Sequence, residues 1–395
     1  MKILHVGPVE PHPSSSGVNQ SIRGSVLAEA KIGLEIGLLP SSPQSCVKTF
    51  GEFPGVCLIE GPHRRHYNPW FISKNWVNCI REEFGRPDLV IFHSTYIPFH
   101  IALARRCREL GWPYIVIPHG GMNVGAQNVK KTKKFIGNIL FFRAFVKHAG
   151  AIYAKSEMEA SEIRSFFPDK HIFTISNAVD DSVFDMSKCL PAAKLGDFAL
   201  GTDLMMGYVG RINVYHKGID LLLEAMAIFK SLPEGPRCKL FMVGPFVTKK
   251  DENYVLSTIR SLGLENVVSL IGPKFGQEKW SYFLACDIFV HTSRFEAGVP
   301  IALIEAMALG RPCMATPGAS VTTVKEGGGW MCDANPDSIA NTILEIYKSK
   351  ESLPAIGRRL QDFAREHFTW RKVAEQEREE YAKLCNLTAE NTKRK

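Results

Sequence analysis

Short apolar runs alternate with amphipathic stretches along the first half of the chain. Runs at 2–7, 34–40, 56–60, 89–93, 114–118, 151–154 and 172–176 read as strands. Helical periodicity around 18–30, 70–84, 98–110, 133–148 and 157–166 lies between them. Pro87-Asp88 opens the uninterrupted run Leu89-Val90-Ile91-Phe92-His93, the pattern of a strand covered on both faces. Such alternation predicts right-handed βαβ units and a doubly wound parallel sheet. The rhythm lapses between 186 and 203, then restarts with runs at 204–210, 239–244, 267–272, 287–292 and 312–316. An α/β fold of two Rossmann-like doubly wound domains facing across a cleft is therefore expected. Its domains are 1–185 and 204–368, joined by a 186–203 linker, with a C-terminal helix over 369–386 packing back on the first domain. Residues 387–395 are polar and expected to fray.

Composition changes this picture little. At 395 residues the chain exceeds one ordinary core, and 45% hydrophobic with 22% charged residues suits a globular protein. No apolar run approaches the roughly 20 residues that span a bilayer. The N-terminal run is too brief for a secretory signal. Ten scattered cysteines, without a Cys-x-x-Cys pair, argue against a disulfide framework or zinc site and for a reducing cytoplasm. The net charge is +8, and six of the excess cations fall within residues 1–190. That excess suits an anionic partner or simply a solvated surface. No nucleic-acid module accompanies it, so nucleic acid is not an expected partner.

The most informative stretch is 294–312. An apolar strand precedes it, and a helix within it runs into Gly310 and Pro312. Strand, acidic loop and helix build a ligand crevice at the carboxyl edge of a parallel sheet. Glu296 in the loop and Glu305 in the helix could accept hydrogen bonds from sugar hydroxyls, while the helix N-terminus suits phosphate. Earlier, Gly210-Arg211 ends a strand and Lys217-Gly218 opens a helix. Arg211, Lys217 and that helix N-terminus form a candidate diphosphate clamp able to stabilise charge on a leaving group. Together these features suggest a nucleotide-sugar site.

Gly-Arg…Lys-Gly, the Ser293-Arg294-Phe295-Glu296 loop and Glu305-Ala306-Met307-Ala308-Leu309-Gly310-Arg311-Pro312 follow one another in an order that resembles the family 4 (group 1) retaining glycosyltransferases. The resemblance covers nearly the whole chain and is strongest over 204–317. It implies a GT-B fold and sugar transfer, with retention and no metal or other cofactor, from a UDP- or GDP-type donor to a glycan or lipid-linked acceptor. Bacterial cell-surface polysaccharide or lipopolysaccharide assembly would be the setting, at the cytoplasmic face of the membrane. By the same resemblance Arg211 and Lys217 hold the diphosphate, Glu296 the transferred sugar and Glu305 the ribose. Gly298 and Val299 present backbone N–H groups, beside Pro300. Gly210 ends the strand before the clamp, and Gly272-Pro273-Lys274-Phe275 meets the nucleobase. Eight residues separate Glu296 from Glu305 where the family usually has seven, a surplus within Ala297-Gly298-Val299-Pro300. A nucleotide-sugar epimerase of the same fold, or a non-catalytic nucleotide-sugar-binding scaffold, would need similar parts.

In the first domain, Gly17 follows three serines in a loop where similar enzymes often carry Gly-Gly, letting backbone approach a phosphate or acceptor. His119, in Ile117-Pro118-His119-Gly120-Gly121, ends a strand at the same sheet edge. The resemblance implies that His119 contacts the transferred sugar; a structural histidine is the alternative. Asn177 and Asp180-Asp181 read as turns. Residues 130–148 combine lysines with aromatic residues, either for peripheral membrane contact or as a core-facing helix with solvated lysines.

Overall fold

The computed structural model describes residues 1–10, 14–41, 52–61, 70, 72–123, 141–232, 237–319 and 322–393. The chain divides into two compact units, Met1–Ala178 with Trp370–Lys395, and Val179–Thr369.

The first unit begins β1 (Lys2–Gly7), α1 (Gly17–Lys31), β2 (Glu35–Pro40), β3 (Val56–Leu58) and α2 (Lys74–Glu83). It continues β4 (Leu89–His93), α3 (Pro98–Glu109), β5 (Tyr114–Ile117), α4 (Arg143–His148), β6 (Ala151–Ala154), α5 (Glu157–Phe166) and β7 (Ile172–Thr174). The strands form one sheet in the order β3-β2-β1-β4-β5-β6-β7, with parallel pairing throughout. β4 is buried along its whole length, as its unbroken apolar run requires. Chain order reverses between β1 and β4, and ligand crevices form beyond the carboxyl ends of strands at such a point.

In the second unit α6 (Val183–Cys189) precedes β8 (Leu204–Val209), α7 (Ile219–Lys230), β9 (Cys238–Val243), α8 (Lys249–Ser261) and β10 (Val268–Gly272). Then come α9 (Gly276–Leu284), β11 (Ile288–His291), α10 (Ile301–Ala308), β12 (Cys313–Ala315), α11 (Thr322–Glu326) and β13 (Trp330–Met331). α12 (Pro336–Lys348) and α13 (Leu353–His367) close this unit. The sheet order β10-β9-β8-β11-β12-β13 reverses between β8 and β11. The two-residue β13 is too short for periodicity to reveal.

The final helix, α14 (Trp370–Lys393), returns to the first unit. Its Trp370, Val373, Ala374 and Tyr381 join Ile3, Ile22, Val26 and Ile36 in one core cluster. Burying each such aliphatic or aromatic side chain stabilises by about 1.5–3 kcal/mol. Residues 186–203, read from sequence as a linker, contain no fully buried residue but touch the rest of the second unit at several points. Leu195 and Phe198 lie against the second unit's core, Ala193 N–H donates to Ser281 O at 2.8 Å, and Lys239 Nζ donates to Phe198 O at 2.7 Å. The division falls at Ala178, seven residues before the boundary that the pattern suggested.

Residues 130–140 of the basic aromatic segment lie outside the described residues. In the remainder, Phe142, Phe145 and Val146 are core and Phe141 is exposed. That part is a core-facing helix. Among the described residues no helix is long and apolar enough to cross a membrane.

Candidate functional site

The β8–α7 and β11–α10 loops meet beyond the carboxyl ends of the two strands that flank the second unit's reversal point. Hydrogen bonds sew them together. Thr292 Oγ1 donates to the carbonyls of Lys217 and Gly218, at 3.1 and 3.2 Å. Arg294 N–H donates to His216 O at 3.0 Å. The Arg294 guanidinium forks onto both carboxylate oxygens of Asp220 at 2.8 Å, and also donates to Tyr215 O. Bidentate pairs of this kind fix geometry as well as adding energy. Gly218 caps α7 with a left-handed φ of 61°, a conformation glycine adopts without steric cost.

This frame holds a compact polar cluster. Lys217 Nζ is paired with Glu296 Oε1. Ser293 Oγ donates to the same carboxylate at 2.7 Å, and His291 Nε2 lies 3.2 Å from it. His216 stacks on Phe295, donates from Nε2 to the Phe295 carbonyl at 2.8 Å and stands 3.7 Å from Glu296 Oε2. Burial would raise the Glu296 carboxyl, but Lys217, His291 and His216 outweigh it and hold the group well below the usual range. Burial pushes His216 down to about 4 and lowers His291, so both rings are neutral beside the ion pair. Arg211, half-buried just beyond β8, has no carboxylate partner among the described residues.

Glu305 sits in the second turn of α10, not the first, so it does not serve the helix dipole. It is buried and accepts from Lys279 Nζ at 2.6 Å and Trp280 Nε1 at 3.1 Å, both on α9. Val299 packs into the core and Pro300 caps α10, which anchors the loop carrying Glu296, while Gly298 is also buried. Gly210 N–H donates to Val243 O at 2.9 Å, so the strand end before Arg211 is tied to β9. Gly272 ends β10 with φ 82°, Pro273 is exposed, Lys274 pairs with Glu278 at 2.6 Å, and Phe275 stands exposed at the N-cap of α9.

Sequence reasoning placed Lys217 and Glu296 on separate parts of a ligand; the structure makes them partners. It missed His291, Ser293, His216, Lys279 and Trp280. Polar residues at the end of the apolar run, His291-Thr292-Ser293, were the available signal for the first two.

In the first unit, Ser94, Tyr96 and His119 are the non-glycine residues with positive φ among those described, at 76°, 63° and 49°. They follow β4 and β5 at the carboxyl edge. Strained backbone of this kind costs of order 1–3 kcal/mol and clusters at functional sites. His119 is half-buried, with its ring edge to edge with His93 and Nε2 3.0 Å from His93 Nδ1. Glu159 fixes the turn by accepting from Gly120 N–H at 2.7 Å. Gly17 is the exposed first residue of α1, and a methyl group there would meet no atom within 4 Å. Asn177 accepts from Ser21, and Asp180 closes a turn by accepting from Ser182 N–H. No group of three metal-ligating side chains occurs among the described residues.

Two wholly parallel sheets, each with helices between its strands and polar clusters at its reversal point, define a protein of two Rossmann-like domains. Residues 198–362 match the family model of glycosyl transferases group 1, and residues 40–183 match that of Glycosyltransferase Family 4. The chain belongs to these group 1 (family 4) glycosyltransferases of GT-B fold. Sucrose-phosphate synthase from Thermosynechococcus elongatus shares the fold at a TM-score of 0.75 and 18% identity, covering 97% of this chain and 99% of that one. The Anabaena HepE protein in complex with UDP-glucose matches at a TM-score of 0.70 and 18% identity, over 97% and 100% of the two chains. The D-inositol 3-phosphate glycosyltransferase of Stackebrandtia nassauensis is 30% identical over 193 residues, 46% of this chain and 42% of that protein. That alignment spans less than half of the relative's length.

Proposed function

We propose that this chain transfers a sugar from a nucleotide-sugar donor to a glycan or lipid-linked acceptor, retaining configuration at the anomeric carbon. The observation that carries the reading is the Lys217–Glu296 pair at the reversal point between β8 and β11, with Arg211 in the loop that follows β8. Glycosyl transfer from a nucleotide sugar must stabilise negative charge growing on a leaving diphosphate, and fixed cations do this without reorganisation. Arg211, Lys217 and the α7 N-terminus supply that positive charge, so the chemistry needs no metal ion. On donor binding the phosphate competes for Lys217, and Glu296 turns to the hydroxyls of the transferred sugar. Glu305, with Lys279 and Trp280 at its carboxylate, holds the ribose, and the Gly272–Phe275 turn faces the base. The entering hydroxyl attacks on the face from which the diphosphate departs, and a diphosphate oxygen takes its proton. HepE, a fold relative, is seen with UDP-glucose, which supports a UDP-type donor over a GDP-type one. Assembly of bacterial cell-surface polysaccharide at the cytoplasmic face of the membrane rests on the family resemblance.

A thermal-shift screen over UDP, GDP, ADP and their sugars, with chelator present, tests the donor assignment, because a ligand that binds only the folded form raises its melting point. One nucleotide class should raise the Tm, and Lys217→Ala should abolish the shift. No response to any of them at millimolar concentration would overturn the reading. Incubating the responding donor alone distinguishes transfer from epimerisation, since an epimerase converts it without acceptor.

A further inference from the structure

We propose that His93, His5 and the buried carboxylate of Glu29 form a proton relay that sets whether the terminal ring nitrogen of His119 donates or accepts a hydrogen bond. The inference concerns the first unit alone and does not depend on the donor site described above.

The line is continuous. His119 Nε2 lies 3.0 Å from His93 Nδ1, His93 Nε2 2.8 Å from His5 Nδ1, and His5 Nε2 2.7 Å from Glu29 Oε2. The three rings lie edge to edge and nearly coplanar, with centroids 5.1 and 5.3 Å apart and planes inclined by 23° and 22°. His5 and His93 occupy neighbouring strands of the sheet interior, where an unpaired polar ring would be costly. Beyond Glu29, Ser25 Oγ lies within 3.2 Å of both carboxylates, and Tyr381 reaches Glu29. Tyr153 donates to Glu377 at 2.8 Å and receives Lys155 Nζ at 2.6 Å. Glu159 faces Lys155 and Gly120 from α5, and His100 on α3 is directed at Ser94 O.

Charge balance requires this cluster to retain protons. One ammonium, Lys155, stands against the carboxylates of Glu29, Glu377 and Glu159, all buried. Leaving all three ionised would bury uncompensated negative charge. Burial accordingly raises Glu29 and Glu159 to about 7 and raises Glu377 as well. The rings, by contrast, resist protonation. Burial lowers His5 to about 4, His119 to about 3 and His93 well below its ordinary value.

With neutral rings only two hydrogen-bond patterns fit the line. In one, protonated Glu29 donates to His5 Nε2, His5 Nδ1–H to His93 Nε2 and His93 Nδ1–H to His119 Nε2. His119 Nδ1 then carries a hydrogen and donates. In the other, ionised Glu29 accepts from His5 Nε2–H, every ring has reversed its tautomer, and His119 Nδ1 accepts. The two differ by one proton. It leaves at His119 Nδ1, each ring passes its own proton along, and the negative charge appears on Glu29. Neither end state contains an imidazolium.

The test is the ring-nitrogen spectrum of the full chain labelled with 15N-histidine, titrated from pH 5.5 to 8.5 without substrate. Two-bond couplings report the tautomer of each ring, and single variants identify the peaks. His5, His93 and His119 should pass from Nδ1–H to Nε2–H with one shared midpoint, and Glu29→Gln should abolish the change. His93→Phe keeps a ring in that place but breaks the line, so His5 should still switch while His119 does not. Should Glu29→Gln fail to fold, the wild-type titration and His93→Phe still decide the matter. Independent titration of the rings, one fixed tautomer throughout, or a switch that survives Glu29→Gln would each overturn the proposal.

Discussion

A methyl group placed on Gly218 would lie 2.1 Å from the carbonyl oxygen of Thr292, which is backbone and cannot swing aside. The left-handed φ of 61° adds strain for any other residue. Because Lys217 precedes this contact, the same packing that closes the loop junction also aims the ammonium at Glu296. Gly218→Ala should cost about 1–3 kcal/mol through strain alone, read as a fall in Tm of several degrees. Transfer activity should fall with it because Lys217 is displaced. An unchanged Tm and rate would mean that the two loops are not locked together.

Arg211→Ala and Lys217→Ala should each lower kcat by roughly 10²–10³-fold, the usual effect of deleting one preorganised charge-stabilising group. Arg211 has no carboxylate partner among the described residues, so its loss should leave Tm nearly unchanged. Lys217→Ala removes the chief influence holding the Glu296 carboxyl down, and burial then drives that group upward. The residual activity of Lys217→Ala should therefore acquire an acid-side titration that Arg211→Ala lacks. Near-normal turnover in both would sink their assignment to the leaving group.

Much of the fold was legible because a parallel sheet covered on both faces writes its strands as apolar runs, as in β4 and β8. The contacts of the 186–203 segment were not legible, because Leu195 and Phe198 follow no helical or strand period and meet their partners only in tertiary structure. The site was half legible for a similar reason. Lys217, Glu296 and Glu305 stand in a recognisable linear order. The residues that grip the glutamates do not: His216 and Lys279 come from other elements, at distances no spacing records. His5 and Glu29 are less visible still, since a histidine within a strand and a glutamate within a helix look like surface positions until both faces are known to be covered.

Glu305 offers a different signature from the clamp. Its buried carboxylate holds Lys279 and Trp280, both half-buried. Glu305→Ala would leave a half-buried ammonium unpaired, a change that should cost less than the roughly 3–5 kcal/mol of a fully buried pair. Glu305→Gln keeps the shape and should be milder. If this residue holds the donor ribose equally in ground and transition states, Glu305→Gln raises the donor KM with little change in kcat. A kcat effect as large as that of Lys217→Ala would instead place Glu305 at the reacting centre.

The response to acid follows from buried histidines. Burial holds His5 and His216 at about 4 and His100 and His119 at about 3, against 6.5 in the unfolded chain. Below pH 6.5 the unfolded chain binds protons that the folded one refuses, so stability falls on acidification. Glu29 and Glu159, raised by burial from 4.5 to about 7, act oppositely between those values because the folded state then holds the extra protons. His93 and His291 are lowered as well and Glu377 is raised, so six rings against three carboxylates make the net effect a loss between pH 6.5 and 4.5, steeper below 4.5 where the carboxylates no longer oppose it. Thermal melts from pH 4 to 8 should show a maximum near pH 6.5. His100→Phe removes one of the six rings and should flatten the acid limb. A Tm that climbs from pH 6.5 to 4.5 would contradict the balance.

Gly24 on α1 and Trp370 on α14 make the first unit depend on the end of the chain. The indole lies where a side chain at position 24 would be, with Cε2 2.0 Å from the site of a Cβ. Gly24→Val must therefore expel Trp370, and Trp370→Ala leaves a cavity instead, typically costing about 3–5 kcal/mol. Behind the indole, the same helix brings Glu377 to Ser25 and Tyr153. Deleting residues 370–395 would strip these buried polar groups of their partner and open the apolar face of α1 at once. The truncated chain should fail to give soluble folded protein, whereas Trp370→Phe should fold with a lowered Tm. A truncation that melts cooperatively at the wild-type temperature would show that α14 is not part of this core.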